Sequence, residues 1–370
     1  MPHSSRRHAR RKHRDRRTKL LIQGLYSALA ILVLLLAVFF VVRRVERSIG
    51  VVEPEAYAAV PPAEEQPAGD TVREEGAYSP QDDDAAPVMS VYRDGQLYTL
   101  KNGLKTVLIM GIDDMEVLDT ERVRNSSQAD FLLLAILDPG TSTCTMLQIN
   151  RDTMTDVPVL SAFGDYMGIE YEQIALAHTY GNGREVSAEN TVTAVSRFLY
   201  GVPIDNYIAL TMGAVPVLND TAGGVTVTVE DDFTGVDDTL VRGETVTLMG
   251  EHALLFVRSR YAMAEDSTNL RRMERQQQYI AALLDQLRER ARSSDTFLAE
   301  LYLKLSDHMI ADCGLEELLE YAAAFSDYAF AGIVTPQGEI GRGDRFVEFY
   351  PDDAALRELV IDLFFEPAQS

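Results

Sequence analysis

The sequence predicts an α/β domain, with a mixed central β-sheet flanked by helices, preceded by one N-terminal transmembrane helix. Residues 106–112 and 131–137 are continuous apolar runs, which suit strands that are buried on both faces of a sheet. Segments with helical periodicity, such as 188–199 and 272–287, alternate with these strand-like runs. Near the N-terminus, residues 20–42 form an apolar stretch long enough to span a membrane.

The N-terminal region has the pattern of a retained membrane anchor. At about 1.5 Å per residue, a helix over 20–42 extends for roughly 35 Å, more than the ~30 Å hydrocarbon core of a bilayer. Arg43 and Arg44 stand where small residues would mark the cleavage site of a signal peptide. The strongly basic residues 1–19 predict a cytoplasmic tail, a single-pass location in the cell membrane and an extracellular C-terminal domain. Contact with anionic lipids is a secondary role for this tail, and a nucleic-acid arm is the disfavoured alternative.

Composition divides the outer portion into a stalk and a domain. Residues 43–95 are rich in Pro, Ala, Glu and Asp, so we expect a disordered stalk. Residues 96–370 are predicted to be the extracellular domain, with a core at 104–290 and a C-terminal extension at 293–370. The chain carries a net charge of −23, and because residues 1–47 contribute +10, the outer portion carries −33. This acidity excludes a general nucleic-acid-binding surface, which has to neutralise phosphates.

The predicted elements follow one another in an order that builds a mixed sheet. The turn Asp138-Pro139-Gly140 joins the second apolar strand to a third, Thr143–Ile149, and Ser187 can cap the helix at 188–199. The later predicted elements are a strand at 207–210, a short apolar run at 215–218, the breaker 222–224, a strand at 225–229, helices at 251–256 and 272–287, two further helical stretches, a short strand near Ile333 and a terminal helix around 354–365.

Several common catalytic and metal-binding patterns are absent from the sequence. There is no CxxC or Cys/His metal spacing, nucleophile elbow, Walker loop or dinucleotide fingerprint, and His178 has no second ligand at a useful spacing. The two cysteines do not form a disulfide scaffold. Cys144 is expected to be a small buried hydrophobe, and a bridge to Cys313 is left open.

Two carboxylates mark the ends of the first two apolar strands. Asp113 follows the first strand and Asp130 directly precedes the second. Ligand sites of open α/β sheets gather at strand ends, and Mg²⁺ is often held by one or two carboxylates together with substrate phosphates. The alternative is ordinary turn and cap chemistry, for which Asp is common.

An arginine cluster points to an anionic ligand. Five arginines lie between Arg258 and Arg275 in an acidic chain, and a guanidinium group fits phosphate oxygens. Helical spacing places Arg272, Arg275, Gln276 and Tyr279 on one face, beside an apolar stripe. A solvated helix face is the alternative. Arg151, at the exit of the third strand, can reach the same crevice or pair locally with Asp152.

The motifs in this order resemble the LytR–CpsA–Psr family of cell-wall proteins over roughly residues 104–290. The segments that carry the resemblance are GID, RDT, GVPIDNYIAL, TAGGVTVTV, GEHALLFVRSRY and RRMERQQQYI. The resemblance implies a phosphotransferase that moves a glycopolymer, such as teichoic acid or capsular polysaccharide, from a polyprenyl-pyrophosphate carrier to peptidoglycan. It also implies assistance by Mg²⁺ and an apolar tunnel for the lipid between the sheet and the helices.

The resemblance assigns roles to seven residues. Asp113 and Asp130 match the metal-associated positions. The positions that match pyrophosphate contacts are Arg151, Arg258, Arg260, Arg272 and Gln276. Of these residues, Asp130, Arg151, Arg258 and Arg260 are the predicted catalytic set.

The chain departs from the family pattern at three positions. Gln128 stands where many members carry Arg, Gln173 where many carry Lys, and Asn269 where Asp is frequent. One interpretation is a variant transferase; the alternative is a polyprenyl-(pyro)phosphate-binding or scaffold protein with reduced or no transfer activity. Asp266 and Asp152 are the candidates for the general base. A membrane-bound transcriptional regulator is disfavoured, because a tail of about nineteen residues is too short for a DNA-binding domain.

Overall fold

The computed structural model describes residues 90–117, 126–161, 164–259, 269–294, 296–343 and 346–368. Among them, no helix is both long and apolar enough to cross a membrane. The predicted tail, transmembrane helix and most of the predicted stalk lie outside the described residues and stay predictions.

The described chain alternates strands and helices. The strands are β1 (Ser90–Arg93), β2 (Gln96–Leu100), β3 (Lys105–Ile112), β4 (Ala129–Asp138), β5 (Thr143–Ile149), β6 (Met154–Leu160), β7 (Tyr166–Gln173), β8 (Asn206–Thr211), β9 (Val225–Thr228), β10 (Thr245–Leu248), β11 (Met309–Ala311), β12 (Ala329–Val334), β13 (Gly338–Arg342), β14 (Val347–Pro351) and β15 (Phe365–Pro367). The α-helices are α1 (Glu185–Phe198), α2 (Ala214–Ala222), α3 (Glu251–Arg258), α4 (Asn269–Ser293), α5 (Phe297–Leu305), α6 (Leu315–Asp327) and α7 (Asp353–Phe364). A 3₁₀ helix at Ile174–Thr179 follows β7.

The centre of the fold is a six-stranded mixed sheet, as the sequence predicts. Its strand order is β11-β8-β3-β4-β5-β12. The β3–β8 and β5–β12 pairs are parallel, whereas β4 runs antiparallel to both β3 and β5. The apolar runs occupy the middle of the sheet because both of their faces are covered by helices.

Alternation along β3 and β4 divides the core between the two faces of the sheet. Leu108 and Leu134 belong to a cluster with α1 and α7 on one face. Val107 and Leu133 belong to a cluster on the other face, together with side chains of α4 and α6. A further cluster joins α2, α3 and α4 to the β9–β10 ribbon. The second face therefore supports a helical layer, in which the candidate site is built.

Two expectations about local structure require correction. Ser90–Arg93 pairs with β2, so the folded part begins inside the predicted stalk. Ser187 does not cap α1, which begins at Glu185; instead, the Ser187 hydroxyl accepts from the Gly183 amide and donates to the Tyr180 carbonyl. The C-terminal extension, predicted to belong to the same domain, contributes β12 to the central sheet.

Both cysteines are buried thiols. Cys144 and Cys313 are free and do not form the bridge that the sequence left open. Cys144 is completely buried on β5, as predicted for a small hydrophobe. Burial raises the pKa of each thiol to about 11.

Candidate active site

A β-bulge places Asp130 at the edge of the site. Ile112 pairs with Ala129, whereas Gly111 pairs with Phe131, so Asp130 is the extra residue of β4. A bulge bends its strand and redirects a side chain. Gly111 is suited to this close approach, because a Cβ there would lie 2.9 Å from the Phe131 Cβ.

Asp113 is held across from this bulge. Its backbone amide donates to the Gln128 carbonyl at 2.9 Å, which continues the pairing beyond β3. Behind it, the Ser127 hydroxyl donates to Asp114 at 2.8 Å, and His178 Nδ1 lies 2.9 Å from the Ser127 carbonyl. Burial lowers the pKa of His178, which favours the neutral ring. His178 therefore supports the backbone beside the two carboxylates.

Two arginines share the carboxylate of Asp130. Arg151 Nη1 bonds Asp130 Oδ1, and Arg272 Nη1 lies 3.6 Å from Asp130 Oδ2. Arg151 also donates to Gln128 Oε1 at 2.6 Å and to Asp152 Oδ1 at 3.2 Å. The structure thus brings Asp130, Arg151 and Arg272 together. The adjacent residue Asp152 orients the Arg151 side chain.

Gln173 connects this cluster to the C-terminal extension. Its amide nitrogen lies 3.2 Å from Asp152 Oδ1 and 2.7 Å from the Val347 carbonyl, and it donates to both. The Phe349 amide donates to the Asp152 carbonyl at 2.8 Å. The neutral amide of Gln173 is sufficient for its two contacts. The neutral side chain of Gln128 is likewise sufficient to accept a hydrogen bond from Arg151. Both departures from the family pattern therefore have defined structural roles.

Arg258 closes the other side of the crevice. It is the last residue of α3, and its Nη2 lies 3.8 Å from Asp113 Oδ1. Both side chains are about half exposed, at 58% and 46%, so this pair stands at a solvent-exposed opening. An ion pair of this length and exposure contributes little to stability, and Arg258 can turn toward a ligand.

Arg275 has a different role from the one its spacing suggests. Its Nη1 donates to Asp231 Oδ2 at 2.6 Å and its Nη2 to the Ser259 carbonyl. The guanidinium carbon also lies 5.5 Å from the Phe233 ring centroid. Arg275 thus fastens the end of α3 to α4, away from the crevice.

An apolar cavity of about 270 Å³ opens beside these charges, between the sheet and helices α2, α3 and α4. Its apolar wall includes Ile109, Leu133, Leu218, Ile280, Leu284 and Leu287. Gln276 also lines it and accepts from Gln148 Nε2 at 3.2 Å. The cavity lies between the sheet and the helices, where the resemblance predicts an apolar tunnel.

A polar mouth of about 760 Å³ adjoins the apolar cavity. Asp130, Arg258 and Arg272 line both spaces. The charged side chains that line the mouth are Asp113, Asp130, Glu251, Arg151, Arg258 and Arg272. Sequence reasoning missed Glu251 and Phe346, which also lines the mouth. Glu251 lies two turns before Arg258 on α3, a spacing of seven residues that does signal a shared face.

Some predicted site residues cannot be located. Arg260 and Asp266 lie outside the described residues, and so does the side chain of Asn269. Within the described ranges, no group of three or more His, Cys, Asp or Glu side chains is arranged to hold a metal ion. Any metal at the mouth would have to draw further ligands from water or from a bound phosphate.

A match to a family model confirms the family resemblance that the sequence motifs indicate. The model, described as the LytR_cpsA_psr family, matches residues 71–345. The chain belongs to the LytR–CpsA–Psr family. The curated relative TagU of Bacillus subtilis, named a polyisoprenyl-teichoic acid–peptidoglycan teichoic acid transferase, is 26% identical over 275 residues, which cover 73% of this chain and 80% of the relative.

Solved structures agree with this membership in the LytR–CpsA–Psr family. The crystal structure of B. subtilis TagV is 25% identical and has a TM-score of 0.53, with coverage of 71% of this chain and 98% of the other. A structure described as TagT bound to LI-WTA is 21% identical, with a TM-score of 0.54 and coverage of 71% and 90%. The latter likeness shows the shared fold.

Proposed function

We propose that this protein is a membrane-anchored phosphotransferase that attaches a glycopolymer from a polyprenyl-pyrophosphate carrier to peptidoglycan. The observation that carries the proposal is the apolar cavity that opens directly onto the arginine-lined mouth. A ligand that fits both spaces has a long apolar tail joined to a phosphate group. The transferase names of the relatives supply the class of reaction.

The reaction follows from this placement. With the lipid in the cavity, its pyrophosphate lies at the mouth, where Arg151, Arg258 and Arg272 supply donors. A hydroxyl oxygen of the acceptor glycan bonds to the phosphorus that carries the glycopolymer. The pyrophosphate P–O bond breaks, polyprenyl phosphate leaves, and the hydroxyl proton is released to water. Guanidinium groups fixed near the leaving phosphate stabilise the charge that develops on it.

Mg²⁺ fits this site as a metal shared with the substrate. The described lining of the mouth has three guanidinium groups and three carboxylates, so it offers no net positive charge to a pyrophosphate. Asp113 and Asp130 would hold the ion with phosphate oxygens, and the ion would supply the missing positive charge. The expected location follows the sequence: the domain is extracellular and residues 20–42 anchor it.

The direct test is mass spectrometry of lipid extracted from the purified full-length protein. We expect polyprenyl phosphate or pyrophosphate with the wild type and much less with Arg258→Ala. Arg242→Ala, at an exposed position that does not line the mouth, is the matched control and should retain the lipid. Transfer assays with Mg²⁺ should show activity reduced by about 10²–10³ in Arg258→Ala and Asp130→Ala. Full activity in both variants would show that the site assignment is wrong.

A second candidate is a polyprenyl-(pyro)phosphate-binding or scaffold protein without transfer activity. The neutral side chains Gln128 and Gln173, at usually charged positions, favour it. Lipid that co-purifies tightly but is not turned over with any acceptor would support this candidate. Robust turnover would eliminate it.

A further inference from the structure

Three exposed aromatic side chains lie on two neighbouring hairpins in and beside the C-terminal extension. Phe346 and Tyr350 belong to the β13–β14 hairpin, and Tyr171 lies on β7 of the β6–β7 hairpin. Their exposed fractions are 68%, 42% and 58%. We refer to Phe346, Tyr350 and Tyr171 as the aromatic platform.

Strand alternation places two of these rings on one face. The Gly343 amide donates to the Phe346 carbonyl at 3.0 Å, which extends the β13–β14 ladder to Phe346. Phe346, Glu348 and Tyr350 are therefore two residues apart and share a face. The Tyr350 hydroxyl donates to Glu348 Oε2 at 2.5 Å. At about 3.3 Å per residue, the two rings are spaced by roughly 13 Å along the strand.

Tyr171 lies two residues before Gln173, whose side-chain amide donates to the carbonyl of Val347, the residue before Glu348. Burial raises the pKa of Tyr171, and Asp353, Asp156 and Glu348 contribute to the shift. The hydrogen bond from Tyr350 to Glu348 raises the pKa of Tyr350, and Tyr171 contributes there as well. The platform thus combines three exposed rings with the Glu348 carboxylate, which accepts from Tyr350 and has further acceptor positions for hydroxyl groups.

The platform is fixed to the polar mouth. Phe346 lines the mouth together with Asp113, Arg151 and Arg258. The next residue, Val347, is held by Gln173, which also contacts the Asp152 that orients Arg151. Phe349 is buried against the start of β6. The hairpin is therefore attached to the site, and its Phe346 and Tyr350 rings are exposed.

The chemistry of the platform suits a polysaccharide. Sugar rings have apolar C–H faces and hydroxyl edges, so they pack on aromatic rings while their hydroxyls bond a nearby carboxylate. Exposed large apolar side chains beside a polar site commonly mark a binding surface. The platform's length along β14 matches an extended chain of sugars better than a single small molecule.

The direction of attack indicates which of the two glycans, the acceptor or the donor's glycopolymer, the platform binds. In phosphoryl transfer the attacking and leaving oxygens are roughly in line. The leaving polyprenyl phosphate lies on the side of the apolar cavity, so the attacking hydroxyl approaches from the opposite side of the mouth. Phe346 lines the mouth and does not line the apolar cavity. This inference rests on the proposed function. We propose that the aromatic platform binds the acceptor glycan and presents its hydroxyl to the glycopolymer-bearing phosphorus.

The test measures binding and kinetics of the full-length protein in detergent. The acceptor is a preparation of uncrosslinked peptidoglycan glycan strands, and the donor is a polyprenyl-pyrophosphate disaccharide. Phe346→Ala and Tyr350→Ala remove platform rings, and Phe346→Tyr retains one. Tyr92→Ala, which removes an exposed aromatic from β1, is the matched control. We expect each Ala variant to raise the KM and Kd for glycan strands by about fivefold to tenfold, with kcat and donor KM within about twofold of wild type.

Each other outcome has a defined meaning. An increase in donor KM alone would place the donor's own sugars on the platform and overturn the proposal. Unchanged values in both Ala variants would also overturn it. If the wild type transfers nothing, the proposed function fails, and direct titration with glycan strands still decides the platform. Weaker binding of glycan strands by Phe346→Ala, with binding retained by Phe346→Tyr and Tyr92→Ala, would support the platform. Equal binding of glycan strands by all variants would refute the platform.

Discussion

Arg275 is a structural arginine, unlike the arginines proposed to bind the ligand, and its replacement should lower the free energy of unfolding. The side chain is 4% exposed, and its Asp231 partner is 13% exposed. Substitution with Met keeps much of the apolar packing against Phe233 but removes the guanidinium. The Asp231 carboxylate is then left without its close counter-charge, and the Ser259 carbonyl loses a donor.

The size of the effect follows from this burial. Removing one partner of a largely buried ion pair costs about 3–5 kcal/mol, because the remaining charge has lost its solvation by water without compensation. This range includes the loss of the cation–π contact, which contributes about 1–2 kcal/mol. For a domain of this size, we expect a fall in Tm of about 10 °C. The double variant Arg275→Met/Asp231→Asn should recover about 1–2 kcal/mol, since no unpaired charge remains.

Urea denaturation of the full-length chain measures this prediction. The chain contains no Trp, so far-UV circular dichroism is the suitable signal. Arg242→Met, at an exposed position, is the matched control and should change the free energy of unfolding by less than about 0.5 kcal/mol. A cost below about 1 kcal/mol for Arg275→Met, or a double variant less stable than the single one, would refute the reasoning.

Three further predictions concern the cavity and two buried titratable groups. Leu284→Lys puts a charge in the apolar cavity and should abolish lipid co-purification, whereas the exposed Leu303→Lys should not. Because burial lowers the pKa of His178, the unfolded chain binds its proton more readily below about pH 6.5. Stability should therefore fall from pH 6.5 to 5.5, and His178→Gln should flatten that slope in denaturation curves; an unchanged slope would contradict this. With its pKa raised to about 11, Cys144 should react with iodoacetamide at pH 8 at least about a hundredfold more slowly in the native than in the denatured chain. Equal reaction rates in the native and denatured chains would show that the Cys144 thiol is not buried.

The central sheet could be predicted because its strands bury both faces. The runs that became β3 and β4 are almost purely apolar, and the bounds of β3, β4 and β5 in the structure differ from the prediction by at most two residues. The two hairpins could not be found in the same way. β7 and β14 carry mostly exposed or half-buried side chains, and their pairing with β6 and β13 stabilises them. Short strands with little burial have no strong periodic signal.

The site was predictable in its residue types and only partly in their roles. Asp130 and Arg151 lie at strand ends, a position that favours a shared crevice but also fits turn chemistry and a local pair of Arg151 with Asp152. The bulge at Asp130 depends on the register of two strands, which a single strand does not encode. Arg272 and Arg275 share a helical face by spacing, yet Asp130 contacts the first and Asp231 the second. Such partners are far apart in sequence, so only the fold distinguishes the two arginines.

The charge balance at the mouth predicts that removing a carboxylate strengthens the binding of pyrophosphate when no divalent cation is present. Arg151, Arg258 and Arg272 already face carboxylates, so the wild-type mouth should bind inorganic pyrophosphate weakly without a divalent cation. Asp130→Asn keeps the size of the side chain and removes one negative charge between two guanidinium groups. Even in water, unit charges at 4 Å interact by about 1 kcal/mol, which corresponds to about fivefold in affinity. We expect Asp130→Asn to bind pyrophosphate at least about fivefold more tightly in the presence of EDTA.

Added Mg²⁺ should reverse the order, because Asp130 is one of the two carboxylates proposed to hold the ion. The wild type should then gain much more affinity for pyrophosphate than Asp130→Asn gains. Isothermal titration calorimetry with and without Mg²⁺ measures both effects, and Asp327→Asn, which removes an exposed carboxylate from α6, controls for net charge. Weaker binding of pyrophosphate by Asp130→Asn in EDTA would mean that the carboxylate assembles the arginines for the anion instead of competing with it. An equal gain from Mg²⁺ in both proteins would remove Asp130 from the proposed metal site and leave Asp113 as its only protein carboxylate.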